Sequence, residues 1–327
     1  MEWNDRIGRR IKLRDLHVLL ATIESGSMAR AAQRLSISQP VVSKTIAGLE
    51  DSLGTRLLDR TPQGIEPTEY GRALLACGTA VFDDLRRGVQ EIEFLADPTR
   101  GELNVGGAGP FIEGIIPAAV ARIAERHPRI TFRVLETDAG TLCRLLRERR
   151  IDLAICRPPN AIDKNDFVSE CLFEETMVVI AGRESRWSTR RKLYLRDLLG
   201  EPWALPEPDN VAASFVADVF LAARLTPPKP RVVSNSVAMR VRLVETGKFL
   251  TMVPASMLHF GAERLQVKRL PINLSINSPP TEIISLKNRT PSAVARMFLN
   301  ELRAFSQMSG IALKAVRESV TVQTQSR

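Results

Sequence analysis

The chain is poor in the residues that usually carry metal, redox or disulfide chemistry. Its 327 residues include four cysteines and three histidines. Cys77, Cys143, Cys156 and Cys171 form no C-x-x-C pair, and His17, His127 and His259 are far apart, so no spacing suits a metal or a disulfide framework. Cys143 and Cys156 fall in apolar patterns, where a thiol packs as a small hydrophobe. No apolar run is long enough to span a bilayer, and Met1-Glu2-Trp3-Asn4-Asp5 lacks a secretory h-region, so no membrane contact and a cytoplasmic location are expected. Also missing are Gly-x-Ser-x-Gly, a phosphate loop and a dinucleotide fingerprint. Gly106-Gly-Ala-Gly-Pro110 is glycine-rich but has the wrong spacing. These absences argue against an enzyme.

What remains is the composition of a globular protein, 44% apolar and 25% charged, long enough for about two domains. The net charge of +9 is spread thinly: residues 1–72 carry 11 basic against 9 acidic side chains, and the rest carry 35 against 28. The one local excess is the lead-in Arg6, Arg9, Arg10, Lys12 and Arg14, which suits phosphate contact or a solvated leader. Charge alone does not identify a nucleic-acid partner.

Local pattern says more. Leu13, Leu16, Leu19, Leu20 and Ile23 mark an amphipathic helix that ends near Ser25-Gly26. Ser27 is placed to cap a second helix with Ala31, Ala32 and Leu35 on its apolar face. After a break at Ser36-Ile37, Ser38 opens a third helix with Pro40 in its first turn. Val42, Ile46, Leu49 and Leu53 commit one side of that helix to a core, and Gln39, Ser43 and Lys44 lie off the stripe. A helix-turn-helix offers such a flank to the DNA major groove. Gly54 stops the helix; Leu57–Arg60, the turn Thr61–Gly64 and the return Ile65-Glu66 read as a wing, with Arg56 and Arg60 beside phosphates. The competing reading is an all-helical protein-interaction cap.

The linked runs Gly26-Ser-Met-Ala-Arg-Ala-Ala-Gln-Arg-Leu, Ser38-Gln-Pro-Val-Val-Ser-Lys, Leu49-Glu-Asp-Ser-Leu-Gly54, Leu57-Leu-Asp-Arg60 and Thr68-Glu-Tyr-Gly71 resemble the winged-helix domain of LysR-type transcriptional regulators. The resemblance implies that Gln39, Pro40 and Ser43 reach bases, while Lys44 and Arg60 hold the backbone of double-stranded DNA. Ser38, Arg34 and Arg56 complete the expected DNA-binding set. One branch of such regulators uses a cysteine pair as a redox switch. No low-pKa environment for one is visible in this sequence.

From Glu69 to Ala96 there is no proline, and Thr68 can cap a helix of about 40 Å at 1.5 Å per residue. Leu74, Val81, Gly88 and Leu95 recur every seven residues, with Cys77, Leu85 and Ile92 between. A narrow apolar seam on a long helix is commonly buried against a copy of itself. Leu74, Val81, Leu85 and Ile92 are the expected dimerisation residues, in agreement with the linker helix of the family. A homodimer is expected, with a homotetramer beyond it, and RNA polymerase is a further candidate partner.

Beyond the hinge at Asp97–Gly101 the pattern alternates strands and helices, which implies a largely parallel sheet with helices on its faces. Spacing alone fits one larger sheet. The resemblance implies two lobes of periplasmic-binding-protein type (type 2). The expected organisation is a winged helix-turn-helix at 1–67, a linker helix at 68–97, an α/β effector domain at 98–308 and a polar tail at 309–327. The first lobe takes about 101–176 and 278–308, the second about 177–277.

Ligands of open α/β sheets sit outside the carboxyl ends of strands. Those ends supply Ala108, Gly109, Pro110, Phe111, Thr137, Arg157, Pro206, Asn235 and Ser236 as candidate effector contacts. Thr137, Asn235 and Ser236 can equally serve as caps or turn formers. Many relatives place a Ser or Thr where Ala108 and Gly109 stand, so only backbone N–H groups are offered there. The run Arg144, Arg147, Arg149, Arg150 reads mostly as solvated surface. Helix N-termini beside the strand ends favour a small organic acid or sugar-acid-like anion, with no cofactor and no metal. Two other classes compete: an enzyme with a helical docking head, and a solute-binding transport component.

Overall fold

The computed structural model describes residues 11–62, 64–158, 162–173, 176–208, 211–261, 265–274 and 280–308. The lead-in arginines 6, 9 and 10, the wing residue Gln63, Pro159 and the tail 309–327 lie outside the described residues. The chain divides into two units, Met1–Val89 and Gln90–Arg327.

In the first unit, α1 (Leu13–Ser25), α2 (Met28–Leu35) and α3 (Gln39–Leu53) pack around Leu19, Ala32, Val42, Ile46, Leu49 and Leu57. Gly26 and Gly54 end α1 and α3 in the left-handed conformation, as the breaks in the sequence predict. Ser36 ends α2 with φ of 54°. Ser27 and Ser38 occupy the N-cap positions, but neither hydroxyl takes a first-turn N–H, contrary to the expected caps. The wing is β1 (Leu58–Thr61) paired antiparallel with β2 (Gly64–Pro67).

Two contacts fix the wing. Glu50 Oε1 accepts the N–H groups of Leu57 at 2.7 Å and Leu58 at 3.2 Å, tying α3 to the first wing strand. At the other side, Ile65 N–H donates to the Gly26 carbonyl at 3.0 Å. Gly64, with φ of 134°, lies so near that a Cβ there would stand 2.6 Å from the same carbonyl oxygen. Only glycine satisfies both conditions.

The long helix α4 runs over Glu69–Ala96, the bounds that the proline-free stretch predicts. Thr68 does cap it: its Oγ1 accepts the Gly71 N–H at 3.0 Å and donates to the Arg56 carbonyl at 2.8 Å.

The second unit holds the α/β part. A five-stranded sheet of order β4-β3-β5-β12-β6 is built from β3 (Arg100–Gly107), β4 (Arg129–Glu136), β5 (Leu153–Cys156), β6 (Phe167–Phe173) and β12 (Thr281–Leu286). Its helices are α5 (Gly109–Ile112), α6 (Ile115–Arg126), α7 (Ala139–Arg147) and α11 (Ala293–Met308), with Phe111, Ile116, Ile123, Phe173 and Phe298 in the core. A buried ion pair, Arg289 Nη2 to Asp152 Oδ1 at 2.8 Å, ties the segment after β12 to the start of β5.

Five other strands make the second lobe: β7 (Met177–Gly182), β8 (Ala204–Leu205), β9 (Val232–Val233), β10 (Leu250–Pro254) and β11 (Val267–Arg269). They form the sheets β10-β7-β11 and β8-β9, joined by a parallel bridge between Trp203 and Leu250. The helices here are α8 (Val211–Ala222), α9 (Val237–Glu245) and α10 (Ala255–Gly261), with a short 3-10 turn at Leu195–Leu198. Trp203 is fully buried with its ring edge against Phe220 and its indole N–H on the Leu198 carbonyl at 2.9 Å.

The expectation of a largely parallel sheet needs correction. β3 pairs in parallel with β4 and β5, but β12 pairs antiparallel with both β5 and β6, and β7 is antiparallel to β10 and β11. The cause is the chain path: it leaves the first sheet after β6 and re-enters at β12, so the returning strand runs against its neighbours.

Candidate functional site

The exposed flank of α3 is the first candidate. Val42, Ile46 and Leu49 are buried on one side, so Ser38, Gln39, Pro40 and Lys44 stand exposed on the other, with Ser43 half-buried. Amide, hydroxyl and ammonium groups on the leading turns of a helix are the chemistry that reads base edges and phosphates. Arg56 is exposed at the entry to the wing, and Arg60 lies on β1 opposite Ile65. Arg34, on α2, pairs with Glu24 of α1 at 2.5 Å, with both side chains about half exposed. An exposed pair of this kind is worth little and can be exchanged for a phosphate.

The second candidate is the stripe on α4. Leu85, Val89 and Ile92 lie at i, i+4 and i+7 and are 49%, 56% and 68% exposed. Val81 is half-buried, and Leu74 is packed against the helix-turn-helix core. The structure therefore places Leu85 and Ile92 on the open stripe and uses Leu74 to seat the helix.

The third candidate lies at the carboxyl ends of the strands in the α/β part. Here the expected set divides by role. Ala108 N–H is already engaged by the Ile155 carbonyl at 3.1 Å, which corrects the expectation of an offered donor. Phe111 is 2% exposed and belongs to the first-lobe core, not to a lining. The Arg157 guanidinium lies over its ring at 5.4 Å. Thr137 is half-buried beside Asp138, and Asp138 caps α7 by accepting the Thr141 N–H at 2.9 Å. The backbone and side-chain hydrogen bonds from Thr141 hold the Asp138 carboxyl below its ordinary range.

In the second lobe Pro206 is buried. Asn235 Oδ1 accepts the Glu207 N–H at 3.1 Å, and Ser236 Oγ accepts the Met239 N–H at 3.2 Å as the cap of α9. Asn235 and Ser236 thus brace the two turns that end β8 and open α9. Gly109 and Pro110 are half-buried at the first-lobe edge. A Cβ on Gly109 would stand 3.0 Å from Val237 Cγ2 and 3.2 Å from Glu136 Oε1, so the two lobes approach each other here.

Two of the four cysteines, Cys143 and Cys156, sit in apolar surroundings. Burial pushes the Cys156 thiol up to about 12 and raises that of Cys143. Both are protonated at neutral pH and slow to react. Among the described residues no three His, Cys, Asp or Glu side chains converge on a metal position, and no helix is long and apolar enough to cross a membrane.

Sequence reasoning singled out neither Glu50 nor Thr68 as a positioning residue of the wing. The signal for Glu50 was a carboxylate in the last turn of α3, next to the core residue Leu49 and facing the first N–H groups of a strand.

Comparison with known proteins agrees with this layout. Residues 13–72 match the bacterial regulatory helix-turn-helix protein model of the lysR family, and residues 96–307 match the LysR substrate binding domain. The chain is 27% identical over 299 residues to the HTH-type transcriptional regulator GbpR of Azospirillum brasilense, covering 91% of this chain and 87% of that one. It is 28% identical over 288 residues to the HTH-type transcriptional regulator GalR of Pseudomonas putida, covering 87% and 72%. Full-length CbnR complexed with its target DNA shares the fold at a TM-score of 0.60, with 23% identity, 90% of this chain and 99% of that one. Full-length OxyR from Pseudomonas aeruginosa gives a TM-score of 0.60 at 20% identity, with coverage of 90% and 95%. With a DNA-reading head and an effector-binding domain both matched along the chain, this protein belongs to the LysR family of transcriptional regulators.

Proposed function

We propose that the protein is a sequence-specific regulator in which Gln39, Pro40 and Ser43 meet base edges, and Ser38, Lys44, Arg34, Arg56 and Arg60 hold phosphates. The observation that carries this reading is the division of α3, buried at Val42, Ile46 and Leu49 and open from Ser38 to Lys44. The CbnR relative was solved with its target DNA, which supports double-stranded DNA as the partner.

The protein works as a homodimer through the α4 stripe and as a homotetramer beyond it. The outer strand β4 leaves Val134 and Leu135 over 40% exposed, which offers the α/β part a second self-association surface. A small anionic metabolite, an organic acid or sugar-acid-like molecule, binds where the lobes meet and alters their closure. It then changes the separation and angle of the paired readers, provided it binds one arrangement better than the other. The protein acts in the cytoplasm, binds rather than turns over its ligand, and has RNA polymerase as its downstream partner.

The test is a pair of substitutions. Gln39→Ala is expected to relax sequence preference, at about 1–3 kcal/mol for the base pair it reads. Lys44→Ala is expected to weaken cognate and random duplex alike and to lower the salt slope by about one. Equal losses on cognate and random DNA for both variants would remove Gln39 from the base-reading set.

A further inference from the structure

The core-facing stripe of α9 contains a residue of the wrong kind. Val237, Val241 and Val244 pack into the second-lobe core at i, i+4 and i+7, and Arg240 takes the i+3 position on the same side. It is 5% exposed. No carboxylate pairs with it among the described residues. Its Nη1 donates to Thr251 Oγ1 at 3.3 Å, and that hydroxyl is spent on the Ala204 carbonyl at 2.6 Å. Its Nε is buried with no acceptor.

Burial lowers its pKa from the ordinary value to about 10, which still leaves the group charged at neutral pH. A buried guanidinium with one long hydrogen bond to a neutral hydroxyl is costly to fold. A leucine would fill the stripe without that cost, so packing alone does not account for the arginine. Its place in the fold bears on the cleft between the lobes. Arg240 sits one turn into α9, below the turns that Asn235 and Ser236 brace. It is also one turn from Val237, the residue that Gly109 of the other lobe approaches.

We propose that Arg240 anchors an anion site inside the second lobe, its Nε edge taking a compact oxyanion such as a carboxylate or phosphate group of the effector. A planar fork of N–H donors matches two oxygens of such a group. This rests on the reading that the α/β domain senses a small anion, and it names the receptor for the charge. An oxyanion drawn to Arg240 fixes the first turns of α9, and through Val237 it reaches the contact between lobes.

The experiment uses the full chain with sodium phosphate in one arm and sodium acetate in the other, against sodium chloride at matched ionic strength. Thermal unfolding is expected to shift upward and saturate with at least one oxyanion and not with chloride. The arm that responds tells a phosphate-bearing from a carboxylate-bearing source. In Arg240→Leu the shift is expected to vanish, while the midpoint without anion stays equal or rises. Should Arg240→Leu fold poorly, Arg240→Lys and hydrogen exchange across residues 237–254 of the unaltered chain decide, with slower exchange expected on adding the oxyanion. A saturable shift retained in Arg240→Leu would overturn the assignment and leave the anion-sensing domain standing. No oxyanion response in the unaltered chain, by melting or exchange, would overturn both, and DNA preference measured alongside reports separately on the reader.

Discussion

Replacing Leu85 and Ile92 together by glutamate is expected to turn the protein into a monomer. Both side chains lie on the open stripe of α4, 49% and 68% exposed, with Val89 between them. Burying a leucine or isoleucine side chain contributes about 1.5–3 kcal/mol. A two-fold interface uses each position twice, and about half of each side chain is still open to be covered, so the pair contributes about 3–7 kcal/mol, a large part of the free energy of a micromolar dimer. The glutamates add repulsion of like charges across the axis. Glutamate is a good helix former, so α4 itself should persist. Light scattering is expected to give a smaller mass, with unchanged helical circular dichroism and a steep loss of affinity for paired half-sites. An unchanged mass would show that the stripe is covered by something other than a second copy.

Two glycine-to-alanine changes on the same helix are expected to act in opposite directions. Gly71 packs its α-carbon against the wing entry: a Cβ there would lie 2.0 Å from the Leu57 carbonyl oxygen and 3.2 Å from Pro67 Cβ. That oxygen is fixed, since it accepts the Thr68 N–H at 2.9 Å. An added methyl must therefore push α4 off β1, breaking the Thr68 cap and its bond to the Arg56 carbonyl. Overpacking and lost capping together cost about 3 kcal/mol or more.

Gly88 has nothing within 4 Å of its would-be Cβ. In the monomeric Leu85→Glu, Ile92→Glu background, where no second copy covers this seam position, Gly88→Ala should stabilise the helix by about 0.5–1 kcal/mol through reduced unfolded-state freedom. A melting curve does not say which unit has changed, so it is the coarser measure for this pair. Hydrogen exchange over residues 13–67 is the better one. Gly71→Ala is expected to accelerate exchange there, and wild-type protection in that variant would refute the steric account.

The reader was legible because its information is local. Left-handed glycines, helix-opening serine positions and an apolar stripe sit within a few residues of one another, and the bounds of α4 follow from a proline-free run after Thr68. The α/β part was legible element by element where the apolar period was strong, as at Ile115–Arg126. β6 was not: Ser169, Glu170 and Cys171 interrupt any alternation in Phe167–Phe173, and only pairing with β12, more than 100 residues away, makes it a strand. The lobe crossing has the same origin, since insertion of β12 between β5 and β6 is a long-range choice.

In the candidate site, Phe111 read as a lining aromatic because its position at a strand end is visible and its burial is not. Arg240 is the converse case. Its signal was present as a charge within the valine stripe of α9, but the period was used only to recognise the helix.

Entry to and exit from the second lobe run through β6 and β12, which are neighbours in one sheet. Everything between them is therefore an inset cassette whose two joints lie side by side, on the edge strand and its neighbour. Such a cassette could be transplanted between relatives without recutting the host layer, giving a modular route to new ligand specificities on an unchanged DNA reader.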